Sequence, residues 1–264
     1  MRNGRNKVLL ITPPHHAGVV EAAGKWPALT FVYLAGALRE AGFVVEIYDS
    51  MAKDHTLAQV GRHIQRSQPD YIGTTAYTAA LPCALEVLGL AKAIEPRVVT
   101  LLGGIHPKFC YREILENHHD VVDFIVRGEG EATLPELLIC LEKKGDLSRV
   151  SGIAFFDPIG GEVLATEERQ LVEDLDSLVP AWDLLDWQDY KLFVVPGSRL
   201  GPIFTSRGCT NTCSFCSQHK FWDGKRRERQ MVRVIEDVQH LHHRYGVDNF
   251  FLTDEYPTYN RDRW

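Results

Sequence analysis

Signals for strands and for helices alternate along the first 145 residues, and this alternation restricts the fold more than any other feature of the sequence. Lys7–Thr12 is a short, almost continuous apolar run, which is typical of a strand covered on both faces. Thr30 can cap a helix that ends at Gly42. The five predicted strands are residues 7–12, 43–48, 71–75, 98–102 and 124–126. Because helices separate them, we predict an α/β fold for residues 1–145, a doubly wound parallel sheet of flavodoxin-like strand order.

Ligands of such sheets bind beyond the carboxyl ends of the strands, where the strand order reverses. The loop after the first strand, residues 13–27, has about 15 residues where roughly 2 to 6 is usual, and excess length there favours a function. It contributes His15 and His16 as candidate ligands. The later loops contribute hydroxyls, acids and glycines as candidate cofactor-binding residues, namely Thr74, Thr75, Tyr77, Thr78, Gly103, Gly104, Gly128, Glu129 and Gly130. Paired glycines let the backbone approach a ligand closely.

The first loop lacks the GxGxxG pattern of dinucleotide-binding domains, although an ordinary dinucleotide or effector domain remains the alternative. The wide first loop, the hydroxyl-rich third loop and the glycine pair of the fourth together resemble the cobalamin-binding domain family. Members that ligate cobalt through histidine carry Asp-x-His-x-x-Gly, whereas Pro13 stands here in the place of the aspartate before His15. Because the aspartate would orient the imidazole, its replacement favours a lower corrin face without a histidine ligand. Ligation by His15 or His16 is the alternative.

A bridge of residues 146–200 is predicted between two domains. Residues 150–156 and 162–165 read as a β-hairpin, and residues 166–200 lack a clear periodicity and are interpreted as the connector. Ile203–Thr205 then begins a new strand. The expected domains are residues 1–145, 146–200 and 201–264.

Three of the six cysteines form a Cx3CxxC motif directly after that strand, and this is the strongest motif of the chain. Cys209, Cys213 and Cys216 are the predicted metal ligands and catalytic residues. They can hold three corners of a [4Fe-4S] cube and leave one iron without a protein ligand. Structural zinc is the alternative, in which His219 completes a Cys3His set.

The motif, with Phe215 before its third cysteine, resembles the radical S-adenosylmethionine (SAM) superfamily. The resemblance implies that the open iron binds SAM and that one electron cleaves the sulfonium to a 5′-deoxyadenosyl radical. It makes Phe215 and Glu255 candidate cofactor-binding residues, with Glu255 contacting the methionyl amine at the end of a predicted strand, residues 249–253. A helix-capping or solvated acid is the alternative for Glu255.

A radical SAM barrel has about six βα units, whereas residues 201–264 hold two predicted strands. The resemblance therefore implies the start of an incomplete (βα) barrel. We expect a chain fragment that is unable to turn over alone. The basic residues of this region are either a solvated face or, if they face the site, a surface for an anionic substrate; they are Lys220, Lys225, Arg226, Arg227 and Arg229.

Several motifs resemble, over nearly all of the chain, the family of anaerobic magnesium-protoporphyrin IX monomethyl ester cyclases. They include residues 23–27, 102–106, 126–131, 213–218 and 254–261. The family implies an oxygen-independent closure of the isocyclic ring of chlorophylls, with water supplying the keto oxygen. Its cofactors would be a [4Fe-4S] cluster, SAM and cobalamin, and its partners a magnesium porphyrin substrate and an electron donor such as a ferredoxin or flavodoxin. A cobalamin-dependent methyltransferase shares every motif, and a noncatalytic cobalamin-binding module also fits.

The net charge of −6 argues against a protein that mainly holds nucleic acid, because phosphate binding needs clustered Lys and Arg. The apolar stretches are far shorter than the roughly 20 residues that span a bilayer. The basic amino terminus is followed by no long apolar region. We therefore expect a cytoplasmic protein without a membrane span.

Overall fold

A computed structural model of the protein describes residues 6–15 and 23–263. The described residues divide into two compact units. The first holds residues 6–15, 30–170 and 180–184, and the second holds residues 23–29, 171–179 and 185–263. No helix in these described ranges is long and apolar enough to cross a membrane.

The first unit is built on one seven-stranded sheet with helices between its parallel strands. Its strands are β1 (Lys7–Thr12), β2 (Val44–Asp49), β3 (Tyr71–Thr75), β4 (Val99–Gly103), β5 (Phe124–Val126), β6 (Ile153–Asp157) and β7 (Glu162–Ala165). Its helices are α1 (Leu29–Glu40), α2 (Leu57–Ser67), α3 (Leu81–Ile94), α4 (Ile105–His118) and α5 (Gly130–Glu142). The strand order is β2-β1-β3-β4-β5-β6-β7, and the first five are parallel. This order confirms the predicted doubly wound, flavodoxin-like fold.

Local sequence explains where the helices of this unit begin and end. Gly42 has a φ of +91° just after α1, a conformation that favours glycine and stops the helix. Pro82 lies in the first turn of α3, where its missing N–H costs no hydrogen bond. At the start of α2, the Gln59 side chain accepts a hydrogen bond from the Thr56 N–H at 2.9 Å.

The hairpin of β6 and β7 extends the first sheet, whereas the sequence assigns it to the bridge. β6 pairs antiparallel with β5, with Val126 opposite Ile153. Ala154 and Val163 are buried in the same hydrophobic core as Leu102 and Ile125. Shared burial of apolar surface therefore holds the hairpin on the sheet edge.

The second unit contains a strand–helix–strand step, β8 (Leu200–Ile203), α6 (Met231–Tyr245) and β9 (Asn249–Leu252). The two strands are parallel, as predicted for the start of a (βα) barrel. The sequence predicts that this strand begins at Ile203, because Gly201 and Pro202 look like a turn. In the structure β8 begins three residues earlier. A Cβ at Gly201 would lie 2.8 Å from Val247 Cγ1, so close packing explains that glycine.

Candidate cofactor sites

A cavity of about 60 Å³ lies at the carboxyl edge of the first sheet. Its walls come from the ends of the parallel strands and from α1, which is where a doubly wound sheet binds ligands. Thr30, Phe31 and Leu34 of α1 form an apolar wall. Six of the predicted cofactor-binding residues line it, namely Thr74, Thr75, Gly103, Gly104, Gly128 and Gly130.

Three glycines of this cavity differ in what a side chain at each position would meet. Gly104 has a φ of +102°, and a Cβ there would lie 2.5 Å from Thr75 Oγ1 and 2.7 Å from the Ala76 carbonyl oxygen. A Cβ at Gly130 would lie 2.7 Å from Leu34 Cδ2. Gly128 has a φ of +95°, but its Cβ would meet no atom within 4 Å. The space beside Gly128 is therefore open to a ligand.

The hydroxyl-rich loop after β3 is only partly available to a ligand. The Thr74 hydroxyl is buried and donates to the Ile11 carbonyl at 2.8 Å, so it serves the sheet. Thr78 and Tyr77 lie at the surface, and Thr78 Oγ1 is 3.1 Å from His106 Nδ1. His106 follows β4, where the sequence had drawn attention only to the glycines. These two loops are thus joined at the carboxyl edge.

His15 also reaches this edge, whereas His16 lies outside the described residues. The His15 ring meets the Tyr77 ring edge-on at 5.7 Å. Glu129 is buried and occupies the N-cap position of α5. The structure thus brings His15, Tyr77 and Thr78 together at the edge where the sequence predicts the cofactor.

The cysteine loop of the second unit, residues 208–222, follows β8 along the chain and includes the short helix Gln218–Phe221. Cys213 is exposed, and Cys209 and Cys216 are half-buried. Phe215 is 91% exposed. Within the described residues, no group of three or more His, Cys, Asp or Glu side chains is arranged to hold a metal ion. The cluster-ligand role of the three cysteines therefore remains a prediction.

Asp254 fixes the chain that leads into the cysteine loop, a role that the sequence did not reveal. It directly follows the strand region of β9, and its carboxylate accepts from the Thr205 N–H at 2.6 Å and the Thr205 hydroxyl at 2.7 Å. The Ser206 hydroxyl donates to it at 2.5 Å. Hydrogen bonds to a charged acceptor are stronger than neutral ones, so the end of β8 is firmly held.

Glu255 contacts the cysteine loop itself. Its Oε2 accepts from the Gly208 N–H at 2.9 Å, and its Oε1 accepts from Trp222 Nε1 at 2.8 Å. Trp222 was not singled out from the sequence, since a lone tryptophan beyond a cysteine motif carries no pattern. The structure thus places Glu255 at the predicted motif.

The predicted basic surface is divided, because Lys220 and Lys225 are exposed whereas the three arginines are partly or fully buried. The side chains of Arg226 and Arg229 are each 6% exposed. Arg226 pairs with Glu228, and Arg229 pairs with Asp176 at 3.0 Å and with Asp237 at 2.7 Å. These guanidinium groups hold the fold of the second unit and do not form an open anion-binding face.

His219 packs in a tight turn. Its carbonyl accepts from the Gly224 N–H at 2.8 Å, and a Cβ at Gly224 would lie 2.8 Å from the His219 ring. In the portion of the chain that the structure describes, the ring completes no metal site with the cysteines. Neither a zinc site nor an iron–sulfur site is thus preformed among the described residues.

Comparison with known proteins identifies a family match in each part of the chain. Residues 15–138 match the B12 binding domain family, and residues 203–264 match the radical SAM superfamily. The solved structure of the cobalamin-dependent SAM radical enzyme OxsB, with aqua-cobalamin and SAM bound, superposes with a TM-score of 0.76 at 25% identity, covering 95% of this chain and 34% of that one. In both of these regions the chain resembles the family of cobalamin-dependent radical SAM enzymes. The two family matches confirm the predicted cobalamin-binding domain and radical SAM region.

Within that family, the chain is similar to anaerobic magnesium-protoporphyrin IX monomethyl ester cyclase. The enzyme of Rubrivivax gelatinosus is 38% identical over 98% of this chain and 46% of its own length. An uncharacterized methyltransferase of Pyrococcus horikoshii, PH0819, is 34% identical over 97% of this chain and 55% of its own length. The chain thus spans about half the length of these relatives.

Proposed function

We propose that the protein takes part in the oxygen-independent closure of the isocyclic ring of magnesium-protoporphyrin IX monomethyl ester. The observation that carries this proposal is the 38% identity to a cyclase across 98% of the chain, through both the sheet and the cysteine loop. The substrate would be a magnesium porphyrin. The electron donor would be a small redox protein such as a ferredoxin or flavodoxin.

Cobalamin would bind at the carboxyl edge of the first sheet. The open space beside Gly128 gives room for part of a large cofactor, and the apolar wall of α1 can pack against its hydrocarbon atoms. Tyr77 and Thr78 are exposed beside the cavity and would contact the corrin side chains. Thr74 would act indirectly, because its hydroxyl holds β3 to β1.

The iron–sulfur cluster would be held by Cys209, Cys213 and Cys216. Three thiolates with one open iron are the donor set that a SAM-binding cluster needs. When bound, the cluster supplies the electron that cleaves SAM, and the resulting radical abstracts hydrogen from the substrate. Because metal ligation is coupled to folding, we expect cluster binding to draw the three thiols together. Glu255 would hold the loop and meet the methionyl amine with its remaining lone pairs.

Anaerobic reconstitution with iron and sulfide tests the cluster. The chain should take up iron and sulfide and develop the broad visible absorption of an iron–sulfur protein, and Cys213→Ala should lose most of this iron. Zinc in place of iron, or unchanged iron in Cys213→Ala, would remove the assignment. Cys83→Ala is the matched control, because Cys83 lies in α3 of the first unit.

Product analysis tests the reaction. Because the chain alone is expected not to turn over, it is first completed with the unmatched part of the Rubrivivax gelatinosus cyclase, of which it covers 46%. With SAM, cobalamin, a reductant and magnesium-protoporphyrin IX monomethyl ester, the cyclase proposal then predicts 5′-deoxyadenosine and a ring-closed porphyrin. The new ketone should carry heavy oxygen when the water is labelled. A loaded cluster that cleaves no SAM would instead indicate the noncatalytic cobalamin-binding module.

A cobalamin-dependent methyltransferase is the second candidate, and the 34% identity to the Pyrococcus methyltransferase favours it. Its signature would be S-adenosylhomocysteine and transfer of label from methyl-labelled SAM to the product. The same reaction mixture therefore separates the two functions.

A further inference from the structure

The two ends of the cysteine loop meet at one carboxylate. Gly208 directly precedes Cys209 and donates its N–H to Glu255 Oε2 at 2.9 Å. Trp222 follows the last cysteine by six residues and donates its indole N–H to Glu255 Oε1 at 2.8 Å. One side chain therefore closes the segment that carries all three thiols.

Backbone packing reinforces this closure at the same place. Gly208 has a φ of +92°, and a Cβ there would clash with the Lys225 carbonyl and lie 3.2 Å from Trp222 Cβ. The chain entering the loop thus passes directly against the chain leaving it. Only glycine permits this approach.

Contacts with several neighbouring side chains fix the orientation of the Trp222 indole, and therefore the direction of its N–H. It is 9% exposed, and the same N–H lies 3.0 Å from Gln218 Oε1. The Arg227 guanidinium lies over the ring at 5.3 Å from its centroid, and the Phe221 ring meets it edge-on at 4.8 Å. A side chain fixed in this way has already lost the rotamer freedom that a new contact would otherwise cost.

We propose that Trp222 and Glu255 form a latch that closes the cysteine loop, and that Trp222 is a positioning residue for the iron–sulfur cluster. The inference rests on the proposed function, because it assumes a cluster on the three cysteines. Closing the loop ends in advance removes part of the entropy cost of bringing three thiolates to one cube. The latch therefore slows the loss of the cluster and fixes its surroundings before SAM binds.

Removing the indole N–H tests the latch without SAM. Trp222→Phe keeps an aromatic ring but cannot donate to Glu255, and Trp187→Phe makes the same change at a buried tryptophan packed on Tyr190 and Tyr245. Both variants and the wild type are reconstituted anaerobically, and iron release to a chelator is followed. Because a hydrogen bond to a charged group is lost, release should be roughly tenfold faster in Trp222→Phe and nearly unchanged in Trp187→Phe.

Two further readouts separate positioning from general stability. The electron paramagnetic resonance spectrum of the reduced cluster should change in Trp222→Phe, since the loop around it relaxes. In the double variant with Glu255→Ala, Trp222→Phe should add little to the release rate of Glu255→Ala alone, because both remove the same latch. This comparison of the double variant with Glu255→Ala still tests the latch if Trp222→Phe alone folds poorly.

Each outcome decides the matter. A wild type that binds iron while Trp222→Phe shows an unchanged release rate and spectrum would overturn the latch and leave the proposed function intact. Equal acceleration in Trp222→Phe and Trp187→Phe, or fully additive effects with Glu255→Ala, would also overturn it. A wild type that takes up no iron would overturn both proposals.

Discussion

Two glycines at the carboxyl edge of the first sheet share a positive φ but differ in what surrounds them. Gly104 combines its φ of +102° with a ψ of −178°, a region that is essentially restricted to glycine, and its missing Cβ leaves room for Thr75 and Ala76. At Gly128 only the positive φ favours glycine, because no atom lies within 4 Å of the position that a Cβ would occupy. One glycine is thus needed by the fold, and the other leaves room for a ligand.

Alanine at each glycine should separate these roles. Gly104→Ala combines backbone strain with overpacking, so we expect a loss of about 3 kcal/mol in the free energy of unfolding. Gly128→Ala adds strain alone and should cost about 1 to 2 kcal/mol. Urea unfolding measures both. Gly128→Ala should in addition weaken cobalamin binding, measured by optical titration, and equal costs for the two variants would contradict the assigned surroundings.

Site residues could be predicted from the sequence where the residue type alone indicates a chemical role. The identity of a residue already indicates its chemistry for cysteines at Cx3CxxC spacing and for glycine pairs after strands. Within the first sheet, the loops that hold the glycine pairs converge as strand order requires. Trp222 and Asp254 were missed, because their importance comes from partners distant in sequence. The Thr74 hydroxyl was predicted to face a ligand, but its partner on β1 is visible only in the folded sheet.

At the level of elements, Arg229 joins the connector to α6 through two carboxylates. Its side chain is 6% exposed, against 12% for Asp176 and 21% for Asp237. The guanidinium also lies over the Phe204 ring at 5.0 Å. Its removal would leave two neighbouring carboxylates without this cation.

Arg229→Ala should therefore lower the free energy of unfolding by about 3 kcal/mol, since an uncompensated buried charge is costly. Arg233→Ala is the matched control, because Arg233 and Glu236 form an exposed pair in the first turns of the same helix. We expect less than about 0.5 kcal/mol for the control. Thermal or urea unfolding checks both, and similar losses would show that the Arg229 pairs are not a major support.

Glu46 links β2 to β1 and α2. Burial raises its pKa, but hydrogen bonds from Lys7 and Ser67, with the charges of Lys7 and His63, outweigh burial and bring the pKa of Glu46 below its usual value. The relevant distances are 2.7 Å to Lys7 Nζ, 2.7 Å to Ser67 Oγ and 2.6 Å to His63 Nε2. A lowered pKa in the folded state means that the stabilisation exists above the unfolded pKa and is lost as pH falls.

Glu46→Gln should consequently destabilise the protein by about 1 kcal/mol at neutral pH, as expected for a partly buried charged network. The difference from wild type should shrink as pH falls below about 4, where the unfolded carboxyl also binds its proton. Urea unfolding across pH measures it, with the exposed Glu40→Gln as control. A difference that is constant with pH would contradict the role of the charge.

Element positions were predicted well where the hydrophobic pattern is strong. They were predicted less well where a strand's start or pairing partner depends on tertiary packing. β1 and β3 have the predicted bounds, because buried strands of a parallel sheet are continuous apolar runs. The hairpin was recognised, but its partner was not, since pairing with β5 depends on a shared core rather than on local pattern. The start of β8 was predicted too far along the chain, because the glycine at position 201 reflects close packing against Val247 and not a turn.

For the whole molecule, each unit carries the predicted site of one cofactor system. If the proposed function holds, cobalamin alone should slow amide hydrogen exchange at residues 74–78, 103–106 and 128–131. Iron–sulfur reconstitution should slow exchange at residues 206–229. Hydrogen exchange read by mass spectrometry checks this, with the hairpin segment 153–165 as an internal reference. Protection by cobalamin that is confined to residues 206–229 would contradict the assignment.

The hairpin of β6 and β7 has a practical consequence for handling the protein. Because β6 runs antiparallel to β5, the turn after Asp157 lies at the amino edge of the first sheet, opposite the edge that carries Gly104 and Gly128. Ile159 in that turn is 96% exposed. A short affinity tag inserted between Ile159 and Gly160 would anchor the chain to a solid support by the amino edge of this sheet, with the opposite edge left unobstructed.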